Sequence, residues 1–202
     1  MPEESRPHHR PLLPGAGRFE QIESGADPAL LSEAAERSAR ALVRGVAGGT
    51  DPQLVQRVIH LAETEGIDSL AELWSGAPAD SLAGALWRLY LLRSWVYADP
   101  QRVARQFEQG RLRAPVSEVI SGVKEPPGPD EVRLLADQVL GGLVTGDFAD
   151  VLFRAAAFAR VTATGRADLD EGHEEHLAAA RMLTLAGQLE QAARLELDGH
   201  LG

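Results

Sequence analysis

Cysteine and asparagine are absent from this 202-residue chain, and lysine occurs once, at Lys124. Without a thiol there can be no disulfide, no thiolate zinc site, no iron–sulfur ligation and no cysteine nucleophile. The absence also fits a reducing compartment. Long apolar runs are missing as well. No uninterrupted stretch reaches the ~18 residues that mark a membrane-spanning helix. The opening "MPEESRPHHRPLLPG" lacks the apolar core of a secretory signal. A cytoplasmic protein without a membrane partner is the expectation. Positive charge is scarce: 20 Lys and Arg face 30 Asp and Glu, for a net charge of −10. Such a chain repels a phosphate backbone overall, which disfavours nucleic acid as a partner. The almost exclusive use of arginine for the basic residues reads as a GC-rich coding bias.

Apolar residues make up 44% of the chain, enough for a globular core at this length. Residues 1–26 read as a flexible N-terminal tail, because Pro2, Pro7, Pro11 and Pro14 interrupt any helix and Gly15, Gly17 and Gly25 loosen the remainder. Residues 27–202 read as a single helical domain. Asp27-Pro28, Asp51-Pro52 and Asp99-Pro100 each place a capping carboxylate before a proline, a signature of helix starts. Leu31, Ala35, Ala39, Leu42 and Val46 form the first stripe, and Leu54, Val55, Val58 and Leu61 the second. A short third helix follows Gly66, with Asp68 as its expected cap.

"SLAGALWRLYLLRSWVYA" carries Leu82, Leu86, Leu89, Leu92 and Val96 on one side and Trp87, Leu91 and Trp95 on the other. A helix apolar nearly all round is expected to be buried on both sides. The class is therefore all-α: a bundle of about seven or eight helices around a central buried helix at 82–97. The prolines of "KEPPGP" (124–129) mark a possible sub-division. After them come a helix opened by Pro129, another capped by Asp147, and a last one from about Leu169 to about Leu197. No stretch alternates at period two for long enough to form a convincing strand.

Candidate sites are few. "DEGHEEH" (170–176) holds His173 and His176, the candidate metal ligands of the chain. On a helical wheel they lie about 180° and about 120° from Met182, which faces the core, so both should point to water. The zincin pattern needs histidines four apart, and a closed site needs ligands from more than one element. The stretch reads instead as the acidic opening of the last helix, and neither metal nor cofactor is expected. "LVQRVIHLAETEGIDSLAELW" has the length of a helix-turn-helix, but its second helix carries Asp68, Ser69 and Glu72 and no basic residue. No phosphate-binding loop and no nucleophile elbow are present.

The remaining lead is basic. Arg88, Arg93, Arg102, Arg105, Arg111 and Arg113 stand against Asp99 and Glu108 in an otherwise acidic chain. Gathered on one face, they would form an interaction surface for an acidic partner; otherwise their stems cover the core. "SLAGALWRLYLLRSWV" (81–96) and "EPPGPDEVRLLADQVLGGLVTGDFADVLFRAAAFARV" (125–161) resemble a conserved family of all-helical actinobacterial proteins of unknown function. The resemblance covers roughly residues 50–165 and implies a helical domain with no catalytic residues to carry over. The reading is thus a non-enzymatic domain working by protein–protein contact, as a regulator or adaptor. A homodimer through the last helix would use Leu177 and Leu195. Two alternatives stand: a transcription- or nucleic-acid-associated factor using the arginines, and a ligand-binding or enzymatic bundle with a pocket near Trp87 and Trp95.

Overall fold

The computed structural model describes residues 27–45, 49–64, 66–113, 128–140, 147–169 and 172–202. The tail (1–26), Val46, Gly48 and the prolines at 126 and 127 lie outside them. Among the described residues the protein is all-helical: α1 (Pro28–Arg44), α2 (Pro52–Thr64), α3 (Ile67–Trp74), α4 (Leu82–Ala98), α5 (Pro100–Arg113), α6 (Pro129–Leu140), α7 (Phe148–Leu169) and α8 (His173–Leu197).

The aspartates expected to start helices do so. Asp27 accepts the Ala29 N–H at 3.0 Å, Asp51 that of Gln53 at 2.9 Å, Asp99 that of Arg102 at 2.9 Å and Asp147 that of Ala149 at 2.9 Å. Each bond satisfies an amide that has no partner within its own helix. Ser81 opens α4 in the same way, accepting the Gly84 N–H at 3.1 Å. The expected cap at Asp68 is replaced by Gly66, whose φ of +86° suits glycine. Asp68 instead sits in the first turn of α3. The expected start of the last helix near Leu169 also shifts. Asp168 and Leu169 complete α7, and Gly172 precedes the first turn of α8.

α4 is the hub, touching α1, α3, α5, α6, α7 and α8. Its stripe of Leu82, Leu86, Leu89, Leu92 and Val96 is sealed. α7 is largely buried, with Phe148, Leu152, Phe158 and a series of alanines inside and Arg154 exposed. It pairs with α8, and Arg160–Glu190 and Arg166–Glu175 cross between them. As one residue number rises the other falls, so the two run antiparallel. Alanines at 155, 156, 159, 186, 192 and 193 are all buried, and such small side chains permit close helix approach.

The α5–α7 crossing is tighter still. A Cβ added to Gly165 would lie 1.7 Å from the Gln106 carbonyl oxygen, and one on Gly110 would lie 1.9 Å from that of Val161. Phe107 and Phe158 stack beside this contact at 5.2 Å.

Several polar groups inside are tied down, whereas one atom each of Glu36, Thr50, Arg133 and Arg160 and both amide atoms of Gln106 are buried without a hydrogen-bond partner. Trp74, fully buried, donates its indole N–H to Ser38 Oγ at 3.0 Å, and that hydroxyl donates to the Ala35 carbonyl at 2.9 Å. Arg44 forks onto Glu196 and reaches the Leu201 carbonyl at 3.2 Å, holding buried Leu201 against α1. The bond to Glu196 raises the Arg44 pKa above its ordinary value, so this pair stays charged. Two stripe positions differ from expectation. Leu31 and Leu61 are exposed.

Candidate functional site: the arginines and outer faces of α4 and α5

The six arginines do not meet on one face. Arg88 turns toward α8, donating from Nε to Gln188 Oε1 at 2.6 Å and from Nη1 to the Gly84 carbonyl at 2.7 Å. Burial lowers its pKa from the ordinary value. Arg93 turns toward α6, where it pairs with Asp137 and stacks on the Tyr97 ring at 4.1 Å. Arg133 covers the same ring at 4.1 Å, and the Tyr97 hydroxyl donates to Asp137 at 2.7 Å.

On α5, Arg102 pairs with Glu175 at 2.8 Å and Arg113 with Asp168 at 3.3 Å. Arg111 lies about half a turn away around the helix from Arg102 and faces Glu108 at 3.4 Å. Arg105 is exposed and has no ion-pair partner among the described residues. The local excess of positive charge read from the sequence is therefore largely spent on the chain's own carboxylates. Sequence distance hides this, since the partners at 137, 168 and 175 come from other helices.

The acidic stretch "DEGHEEH" acquires a definite contribution through Glu175. It receives Arg102 from α5 and Arg166 from α7, the latter at 2.7 Å, and so joins three helices. Arg102 and Arg166 hold its carboxyl below the usual glutamate range. His173 and His176 are both exposed, and no group of three potential ligands surrounds a common point among the described residues. α3 exposes Asp68, Ser69 and Glu72, a face that repels phosphate. No described helix is long and apolar enough to cross a membrane.

Two surfaces stand out among the described residues. The first is the outer side of α4, expected to be buried. Trp87, Tyr90 and Trp95 are only half-buried there, and Leu91 is 38% exposed. The reason is tertiary: the leucine stripe is sealed, while on the other side Trp87, Tyr90 and Trp95 pack only partly against the core and Leu91 is left open. Trp87 and Tyr90 stack at 5.5 Å, and the Tyr90 hydroxyl donates to Asp68 at 2.5 Å. That bond, with some burial, raises the phenol pKa. Trp95 leans on Phe158 at 6.5 Å. Neither Trp87 nor Trp95 lines the two cavities described here.

The second surface is a groove of about 870 Å³ along α5, which reaches Leu169 on α7. Arg102, Arg105, Gln106, Gln109 and Leu112 line its α5 side together with Asp99 and Glu108. Leu112 is 80% exposed and Leu169 48%. A smaller hollow of about 330 Å³ lies between the first turns of α1 and the end of α3. On α8, Leu177 is exposed, and Leu195 is partly buried against the core.

No family model matches the chain, and no curated protein or solved structure matches it either.

Proposed function

We propose that this chain is a non-enzymatic helical domain that acts by protein–protein contact, as an adaptor or regulator. The observation that carries the reading is the outer side of α4. A helix written apolar all round needs cover on both sides, and this one leaves Leu91 exposed and Trp87, Tyr90 and Trp95 half-buried. The residues left half-open are tryptophan, tyrosine and leucine, flanked by Arg88. Tryptophan, tyrosine and arginine are the types that dominate interface energetics. The face is also pre-ordered. Trp87 rests on Tyr90, and Tyr90 is tied to Asp68, so little side-chain freedom is left to lose on binding.

The test is site-specific photo-crosslinking in the native cell. A photo-reactive amino acid in place of Leu91 should give a discrete crosslinked product. The same residue in place of Arg37, exposed on α1, should not. A product at twice the chain mass would identify a second copy as the partner, and a heavier or lighter one a different protein. Equal labelling from both positions, or none from position 91, overturns the reading.

A further inference from the structure

The outer side of α4 has a charged border, and its two edges differ. On one edge the Tyr90 hydroxyl meets Asp68, and the Pro78 carbonyl packs where a Cβ on Gly84 would stand. Residue numbers rise on the α3 side as they fall along α4, so the two run antiparallel. Glu72, one turn beyond Asp68 on the same face of α3, therefore comes level with Trp87. Asp68 and Glu72 are both exposed, and neither has an ion-pair partner among the described residues. On the other edge Arg88 is turned inward onto Gly84 and Gln188, and Asp80 lies close enough to offset its charge. Arg93, the other cation near Tyr90, is paired with Asp137. The border is thus neutral on the α8 side and carries two uncompensated carboxylates on the α3 side. The net charge of the whole chain, −10, has the same sign.

We propose that the outer side of α4 takes a cationic amphipathic helix from a partner protein. The proposal rests on the protein-contact reading above and names the chemistry of its occupant. Trp87, Leu91 and Trp95 stand four residues apart and form a ridge of two turns, about 12 Å long. A partner helix matches that ridge with apolar residues at the same period. Its lysines and arginines, on the side toward α3, meet Asp68 and Glu72. An acidic partner would set its own carboxylates against these two, a like-charge contact that opposes docking. A second copy of this chain is disfavoured in the same way, because each copy brings a net charge of −10.

The test uses the full chain and fluorescence anisotropy of a labelled helical peptide with leucine at positions i, i+3, i+4 and i+7 and lysine elsewhere. The same peptide with glutamate in place of lysine is the charge-reversed control. Saturable binding of the lysine peptide, and much weaker binding of the glutamate peptide, are expected. Glu72→Lys and Leu91→Asp should each weaken binding by about tenfold or more, the scale of one contact turned unfavourable. Asp130→Lys makes the same charge change on α6, where Arg133 ties Asp130 to the Tyr97 end of α4. It should stay within about twofold of wild type, since exposed charges more than ~10 Å apart are largely screened. The proposal is overturned if the glutamate peptide binds as well as the lysine peptide, or if Glu72→Lys and Leu91→Asp bind like wild type. It is also overturned if Asp130→Lys weakens binding as much as Glu72→Lys, because overall charge would then be the cause. A discrete crosslink from position 91 in the cell, with no binding of the lysine peptide, overturns the cationic occupant and leaves the contact reading standing. No crosslink from that position overturns both.

Discussion

One substitution, made at two glycines, should have opposite effects in this protein. In Gly165→Ala the new Cβ falls 1.7 Å from the Gln106 carbonyl oxygen and 2.6 Å from the Gly110 nitrogen. Both obstacles are backbone, so no side chain can swing aside. Restoring an ordinary contact of 3.4 Å requires α5 and α7 to part by about 1.7 Å. A radial gap of ~0.5–1 Å already forfeits a quarter to a half of a dispersion contact. The Phe107–Phe158 stack at 5.2 Å lies beside this crossing and loses contact with it. Overpacking of this kind costs ~1–3 kcal/mol and occasionally more, and rigid backbone on both sides places Gly165 at the top of that range. Alanine returns ~1 kcal/mol of helix propensity. The expected net loss is about 2 kcal/mol or more. Gly187→Ala on α8 is the control: nothing lies within 4 Å of its added Cβ. Only the propensity term acts there, so stability should rise by about 0.5–1 kcal/mol. Urea unfolding followed by far-UV ellipticity reads both as midpoint shifts at unchanged slope. A Gly165→Ala chain as stable as wild type would refute the backbone-contact argument. A destabilised Gly187→Ala chain would refute the assignment of that position to open helix surface.

Other outcomes follow from the buried polar groups. Ser38→Ala removes the acceptor of the buried Trp74 indole, leaving an unpaired donor that should cost about 1–3 kcal/mol. An unchanged urea midpoint would contradict it. Glu175 is held ionised by Arg102 and Arg166, so its folded pKa lies below its unfolded one. A depressed carboxyl stabilises the fold above the unfolded pKa, and that contribution disappears as the pH falls through the folded value. Glu175→Gln should therefore lower the melting temperature at pH 7, with the difference from wild type shrinking toward pH 3. A difference that stays constant over that range would show that charge is not what Glu175 contributes.

Much of the fold was legible because its signals are local. The capping carboxylates at Asp27, Asp51, Asp99 and Asp147 act within three residues of themselves, so spacing alone reveals them. The buried stripes of α4 and α7 follow from a period of 3.6 and the cost of wetting leucine and phenylalanine. Boundaries were less legible. Asp168 has the chemistry of a helix start yet ends α7, where Gln109 and Arg113 from α5 meet it. The arginines were legible as a cluster in sequence but not in their pairing, since Asp137, Asp168 and Glu175 arrive from elsewhere in the chain.

The sequence by itself determined that this chain is helical, where most of its helices begin, and that the leucine stripe of α4 goes inside. These choices depend on backbone amides, prolines and side-chain periodicity within a turn or two. Tertiary structure alone decided three things: which side of α4 is covered, which carboxylate each arginine meets, and why glycine stands at 110 and 165. Each depends on the distance between helices far apart in the chain.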